Sequence, residues 1–224
     1  MKRLFLVLGA ALLMASELSR AGLVVGGTRV LYDARKKEAS LNVTNTGGSP
    51  LLVQSWAEIR RGSGEKAPFV ITPPLFRLDG GQANVIRVVR AGGSLPEDRE
   101  SLFWLSIKAI PSSRPAEGQN TLQFAARSVL KLIYRPPALS GTPEKRAGEL
   151  RWQRAGNQLL VSNPTPFYMH FHEIRVGKAS VEKVTFVPPM GEARFDLPSG
   201  ATGTVTWRLI NDYGGIGVLH SSSF

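Results

Sequence analysis

The sequence predicts an all-β chain of two β-sandwich domains, on three observations. Apolar residues recur at every second position in run after run, the spacing of a half-buried strand, and no segment shows a long helical period with caps. Clusters of Gly, Asn, Asp, Ser and Pro punctuate these runs at the spacing expected of an immunoglobulin-like sandwich, about every 8–12 residues. Pro136–Pro143 (PPALSGTP) is stiffened by prolines and carries little to pack, so it reads as a hinge. The expected division is a leader over 1–21, a first domain over 22–136, a linker over 137–143 and a second domain over 144–224.

The 224-residue chain opens with Met1-Lys2-Arg3, an apolar run over Leu4–Ala15 and then Ser19-Arg20-Ala21. A basic start, a short apolar stretch and a small-x-small site predict a cleavable signal peptide. The run is shorter than the roughly 20 residues of a membrane span, and no later stretch approaches that length. The expectation is export without membrane insertion. There is no cysteine, so disulfides, thiolate metal sites and thiol chemistry are excluded. The formal charge of +11 suits acidic partners or a solvated basic surface. Its Lys and Arg residues are scattered rather than gathered in runs, which argues against nucleic acid.

In chain order, Gly22–Tyr32 reads as a first strand with a glycine break, Ala39–Thr44 and Leu51–Glu58 as a pair around the turn at Asn45–Pro50. Pro73-Pro74 interrupts Val70–Leu78, which fits an edge position or a change of sheet. Asn84–Arg90 and the dense apolar run Ser101–Ile110 follow, then a polar loop over Pro111–Thr121. Next comes Leu122–Tyr134, thirteen residues whose apolar positions follow a spacing of two, closed by Pro136-Pro137 and long against a usual strand of about five to six. Periodicity alone allows a core strand. Most apolar strands simply line a core, but the pattern also allows an edge strand lent to another chain, the kind of edge proteins normally suppress. Beyond the hinge, Glu149–Arg154, Gln158–Ser162, Phe167–Val176, Val181–Val187, Gly191–Phe195 and Thr202–Leu209 are the expected strands of a shorter second sandwich.

Little here points to catalysis. Of three histidines, His170 and His172 share a predicted strand face, but a zinc site needs three or four ligands and no acid is placed to complete one. They read as strand-surface histidines. Ser128-Val129-Leu130-Lys131 matches S-x-x-K, whose chemistry requires a helix, whereas a strand puts Ser128 and Lys131 on opposite faces. No G-x-S-x-G or phosphate-binding loop is present. The expectation is no enzyme, no metal and no cofactor. The polar residues that stand out are cations within apolar strands: Arg29, Lys131 and Arg135. Each must reach water or find a partner, and two meeting in one place would attract a carboxylate.

These residues also carry a resemblance. Leu122–Pro136 resembles the signature strand of the PapD-like periplasmic pilus chaperones of the chaperone/usher pathway. Five further segments agree with that family in order: Thr28–Tyr32, Ile71–Leu78, Pro96–Phe103, Asn163–Tyr168 and Ile210–Gly215. The resemblance implies two immunoglobulin-like β-sandwich domains arranged as a boomerang around a cleft. It implies that Leu122, Phe124, Ala126 and Ser128 of an edge strand complete the fold of a pilus subunit. It also implies that Arg29 and Lys131 grip the subunit's C-terminal carboxylate, and that Glu100, Arg135 and Asp212 form an ionic cluster setting the interdomain angle. The implied partners are pilus (fimbrial) subunits and an outer-membrane usher, in the periplasm, with self-association possible for the free protein. Ala126 departs from the pattern, standing where a larger aliphatic residue is common. So does the absence of cysteine from the second domain, which leaves its last strands unassigned. The competing expectation is a two-domain β-sandwich adhesin or structural pilus component.

Overall fold

Glycine and proline decide how the first sandwich is cut. The structure, a computed structural model, describes residues 22–112 and 124–223, so the leader 1–21 and Leu122 lie outside the described residues. At Gly26-Gly27 the first run splits into β1 (Leu23–Val25) and β2 (Arg29–Asp33), which serve opposite sheets. At Pro73-Pro74 the run Val70–Leu78 does the same, giving β5 (Phe69–Thr72) and β6 (Leu75–Leu78), each the outer strand of a different sheet. Proline can donate no ladder hydrogen bond, so the change of sheet falls where the ladder must stop.

Between them lie β3 (Glu38–Asn45), β4 (Leu51–Glu58) and β7 (Ala83–Arg90), followed by β8 (Ser101–Pro111) and β9 (Ala126–Arg135). One sheet runs β1-β3-β7-β5 and the facing sheet β2-β9-β8-β4-β6. Alternation fills the space between: Val43, Val53, Ile86, Val88, Leu105, Ile107 and Leu132 are each at most 1% exposed. Tyr32 and Tyr134 stack at 6.0 Å, and Phe69 meets Phe103 edge-on at 5.2 Å.

The second sandwich has its own core, built around Trp207, Phe167, Met169 and Ile174. It begins with a short helix, α1 (Pro143–Arg146), and a 3-10 turn (Ala147–Glu149) where the sequence predicted the end of a linker and the start of a strand. Proline at the first helical position suits a helix start, because its missing N–H has no partner there anyway. The sheet β10 (Arg151–Ala155), β11 (Gln158–Asn163), β15 (Gly191–Asp196) packs against a second sheet. That second sheet runs β13 (Ala179–Ser180), β12 (Met169–Val176), β16 (Val205–Ile210), β17 (Ile216–Ser222), with β14 (Phe186–Val187) also on β12. The expected strand Val181–Val187 is therefore reduced to β14, with β13 just before it. β17, unassigned from sequence, is the last strand of its sheet.

Candidate functional site

The site begins with β9 and what flanks it. On one side β8 pairs antiparallel along Ala126–Tyr134. On the other, β2 pairs parallel, but only from Lys131 to Arg135. Over Ala126–Leu130 the second side of β9 has no partner strand among the described residues. Of the predicted edge strand Leu122–Tyr134, Leu122 lies outside the described residues, and the described residues form a strand over Ala126–Arg135, of which only the first half is an edge. Its second half is roofed by β2 because Val30 and Tyr32 must join Leu132 and Tyr134 in the core.

Side chains follow the same division. Leu130, Leu132 and Tyr134 are buried, whereas Ala126 and Ser128, on the same face of the strand, are exposed, and Phe124 just before them is 76% exposed. An apolar face continues past the end of its own core into solvent.

Where the open edge stops, two cations stand side by side. Arg29 and Lys131 are register partners across β2 and β9, a meeting the sequence could not show. Among the described residues neither makes an ion pair. One terminal nitrogen of Arg29 donates to the Ile210 carbonyl at 3.2 Å, while its Nε is buried without a partner. Burial lowers the Arg29 pKa, with Asp212 and Glu144 opposing. Burial, and then the neighbouring Arg29, push Lys131 down to about 8. Two partly buried like charges set side by side repel one another, and Asp212 and Glu144 offset only the charge of Arg29.

The third group lies at the junction of the domains. Arg135, 6% exposed at its side chain, donates from Nε to Glu100 at 2.7 Å and from both terminal nitrogens to Asp212 at 2.7 and 2.8 Å. The second Glu100 oxygen accepts the backbone N–H of Tyr168 at 2.7 Å, and the Glu100 N–H donates to the Pro166 carbonyl. Glu100 and Arg135 belong to the first domain, Tyr168 and Asp212 to the second, so the three predicted residues do come together. Burial pushes the Glu100 carboxyl up to about 7 against the pull of Arg135. Burial also works against the Arg135 charge, but its hydrogen bonds to Asp212 and the two carboxylate charges raise it. Nearby, the turn that carries Asp212 closes on the first domain: Gly214 has φ +88°, and a side chain there would collide with the Thr28 hydroxyl.

One of the two histidines departs from the sequence reading. His172 is exposed beside a bulge in the β12–β16 ladder, but His170 is buried, with Nδ1 2.9 Å from Lys131 Nζ. Its ring packs on Tyr168 and Phe186 of its own domain and meets Lys131, 39 residues away on the other, a partner for which the local sequence carries no signal. Among the described residues no group of three or more His, Asp or Glu is placed to hold a metal ion.

The family described as pili and flagellar-assembly chaperone, PapD N-terminal domain, matches residues 22–140, and the C-terminal domain of pili assembly chaperone PapD matches 145–220. A probable fimbrial chaperone LpfB of Escherichia coli O157:H7 is 42% identical over 218 residues, covering 96% of this chain and 94% of that one. The chaperone protein FimC of Escherichia coli K12 is 43% identical over 207 residues, 91% of this chain and 85% of that one. Among solved structures, the Salmonella enterica SafA pilin in complex with the SafB chaperone matches with TM-score 0.86 and 40% identity, over 92% of this chain and 98% of that one. The E. coli chaperone DraB matches with TM-score 0.83 and 40% identity, over 91% and 98%.

Proposed function

The chain belongs to the PapD-like family of pilus-assembly chaperones, and on that premise we propose that it captures pilus subunits by lending them the open edge of β9. The observation that carries this reading is the open edge over Ala126–Leu130 ending at the paired cations Arg29 and Lys131.

The direction of the guest follows from that arrangement. β2 occupies the lane beside β9 only from the level of Lys131 onward. A guest strand fills the empty part of the lane, and its C-terminal carboxylate meets Arg29 and Lys131 at the lane's end. Its last residues therefore run toward those cations, parallel to β9. Main-chain hydrogen bonds along the edge supply affinity of a sequence-tolerant kind, and alternate side chains supply specificity. Phe124, Ala126 and Ser128, with Leu122 before them, enter an incomplete sandwich in the subunit. The carboxylate fixes the register, because a slip of one residue would turn every side chain to the wrong face.

Glu100, Arg135 and Asp212 hold the two domains at a fixed angle rather than touching the guest. The working units are 22–136 and 144–224 joined by 137–143. The leader directs the chain to the periplasm, and the loaded chaperone passes its subunit to an outer-membrane usher. No catalytic step is needed: binding and release are strand exchange.

Co-expression with a pilin subunit and purification from the periplasm tests the proposal. The native protein should yield a one-to-one complex. Lys131→Ala should lose most of it, and Phe124→Asp should lose it by blocking insertion while leaving the anchor intact. A complex indifferent to both substitutions would point instead to loop-tip binding of the adhesin kind.

A further inference from the structure

His170 is required neither by the open edge nor by the ionic cluster, yet it is 2% exposed and its two ring nitrogens are unequally used. Nδ1 lies 2.9 Å from Lys131 Nζ, while Nε2 is buried without a partner. The ring stacks on Tyr168 at 5.9 Å and meets Phe186 edge-on at 5.4 Å. The Phe186 ring also lies 5.3 Å from Lys131 Nζ. The imidazole and the Phe186 ring of the second domain thus hold the head of a lysine from the first, with Tyr168 stacked behind the imidazole.

The donor inventory fixes the protonation state. A charged ammonium has N–H donors and no acceptor, so Nδ1 must accept and the ring proton must sit on Nε2. An imidazolium here would be a third cation. The groups that act on the ring are Lys131 from β9, Arg29 from β2 and the faces of Tyr168 and Phe186; no carboxylate is among them. Asp212 and Glu144 act on Arg29 instead. Burial, then Lys131 and Arg29, accordingly hold His170 in its neutral form at any physiological pH.

We infer that His170 is a positioning residue for carboxylate capture: from the second domain it accepts one N–H of Lys131, fixes the ammonium in the cleft and leaves its other two N–H groups for the guest carboxylate. This rests on the reading of Arg29 and Lys131 as the carboxylate anchor. A lysine on a free four-carbon stem must be ordered when its ligand arrives, and that ordering subtracts from affinity. Holding the head in advance removes that cost. The grip then depends on the second domain keeping its place, so the Glu100–Arg135–Asp212 junction supports the anchor through Tyr168 and His170. The hydrogen bond also favours the charged form of Lys131, countering burial and Arg29.

Two variants separate positioning from bulk. His170→Phe keeps a ring for Tyr168 and Phe186 but removes the acceptor. His170→Asn loses the ring but can place its side-chain oxygen where Nδ1 stood. The first readout is the titration of Lys131, followed by the NMR shift of its Cε in the free protein. The native midpoint is expected near 8. His170→Phe should lower it by about one unit, the worth of one hydrogen bond to a charged group, and His170→Asn should restore it. An unchanged midpoint in His170→Phe overturns the inference whatever the guest.

The second readout is binding of two labelled twelve-residue peptides of alternating Val and Ser ending in Tyr, one with a free carboxylate and one amidated. The ratio of the two affinities isolates the anchor. His170→Phe should reduce the ratio about tenfold, with recovery in His170→Asn. Lys131→Ala is the control. If it abolishes the ratio while His170→Phe preserves it, the anchor stands and the role of His170 falls. If Lys131→Ala preserves the ratio, the carboxylate reading itself falls, and the NMR arm still decides the His170–Lys131 coupling. Thermal melting confirms that each variant is folded.

Discussion

Replacing Arg135 with alanine tests the junction through its electrostatics. The native guanidinium is 6% exposed and bonded to two carboxylates, of which Glu100 is 1% and Asp212 11% exposed. Its removal leaves buried acids unpaired, which costs about 3–5 kcal/mol. Glu100 sets how that cost varies with pH. In the native protein its carboxyl is raised to about 7, so the folded state holds more protons than the unfolded state between about 4.5 and 7, and stability falls as pH rises through that window. Without Arg135 the carboxyl rises further, and the fall continues above pH 7 where the native protein has levelled off. The deficit of Arg135→Ala should therefore be about 3 kcal/mol at pH 5.5 and grow by about 1 kcal/mol by pH 8, at 1.36 kcal/mol per pKa unit. Urea unfolding at both pH values measures it, with the transitions of the two domains fitted separately. A deficit below about 1 kcal/mol, or one that shrinks as pH rises, would refute the reasoning.

Other outcomes follow from the same geometry. Glu100→Gln should keep an acceptor for the Tyr168 N–H while flattening the stability loss between about pH 4.5 and 7, checked by thermal melting across that range. Phe124→Asp, at a position 76% exposed, should leave the melting temperature unchanged and abolish subunit capture in a pull-down. Ala126→Leu enlarges a side chain that is exposed until a subunit covers it, and should tighten binding by about 1–3 kcal/mol if the subunit pocket accepts the added methylenes, read by calorimetry. Subunit affinity should be flat below the Lys131 pKa of about 8 and fall above it, because the carboxylate binds only the charged lysine and proton uptake then accompanies binding.

What the sequence made legible was whatever is written in local period and punctuation. A spacing of two over Leu122–Tyr134 identified the strand that matters, and Pro73-Pro74 marked one change of sheet, whereas Gly26-Gly27 read only as a break within one strand. What escaped depended on distant partners. That β9 is open only as far as Leu130 is decided by where β2 begins, about a hundred residues earlier in the chain. His170 read as a surface residue because its neighbours alternate correctly, whereas its ring packs on Tyr168 and Phe186 and meets Lys131 from the other domain. β17 was missed because Ile216, Val218 and Leu219 remain 53–67% exposed, so the strand covers no core that its pattern could announce. Val181–Val187 erred in the opposite direction: apolar residues there pack against the second core with little ladder pairing.

The central claim, that Ala126–Leu130 is the edge a subunit joins, is tested most directly by amide hydrogen exchange in the free protein and in its complex with a pilin. In the free protein, amides of this segment bonded to β8 should be protected and the alternate ones, facing the open lane, should exchange as freely as loop amides. In the complex those alternate amides should slow by about a hundredfold or more, as ladder hydrogen bonds form. Unchanged exchange over Ala126–Leu130 in a complex that protects other parts of the chain would contradict strand lending.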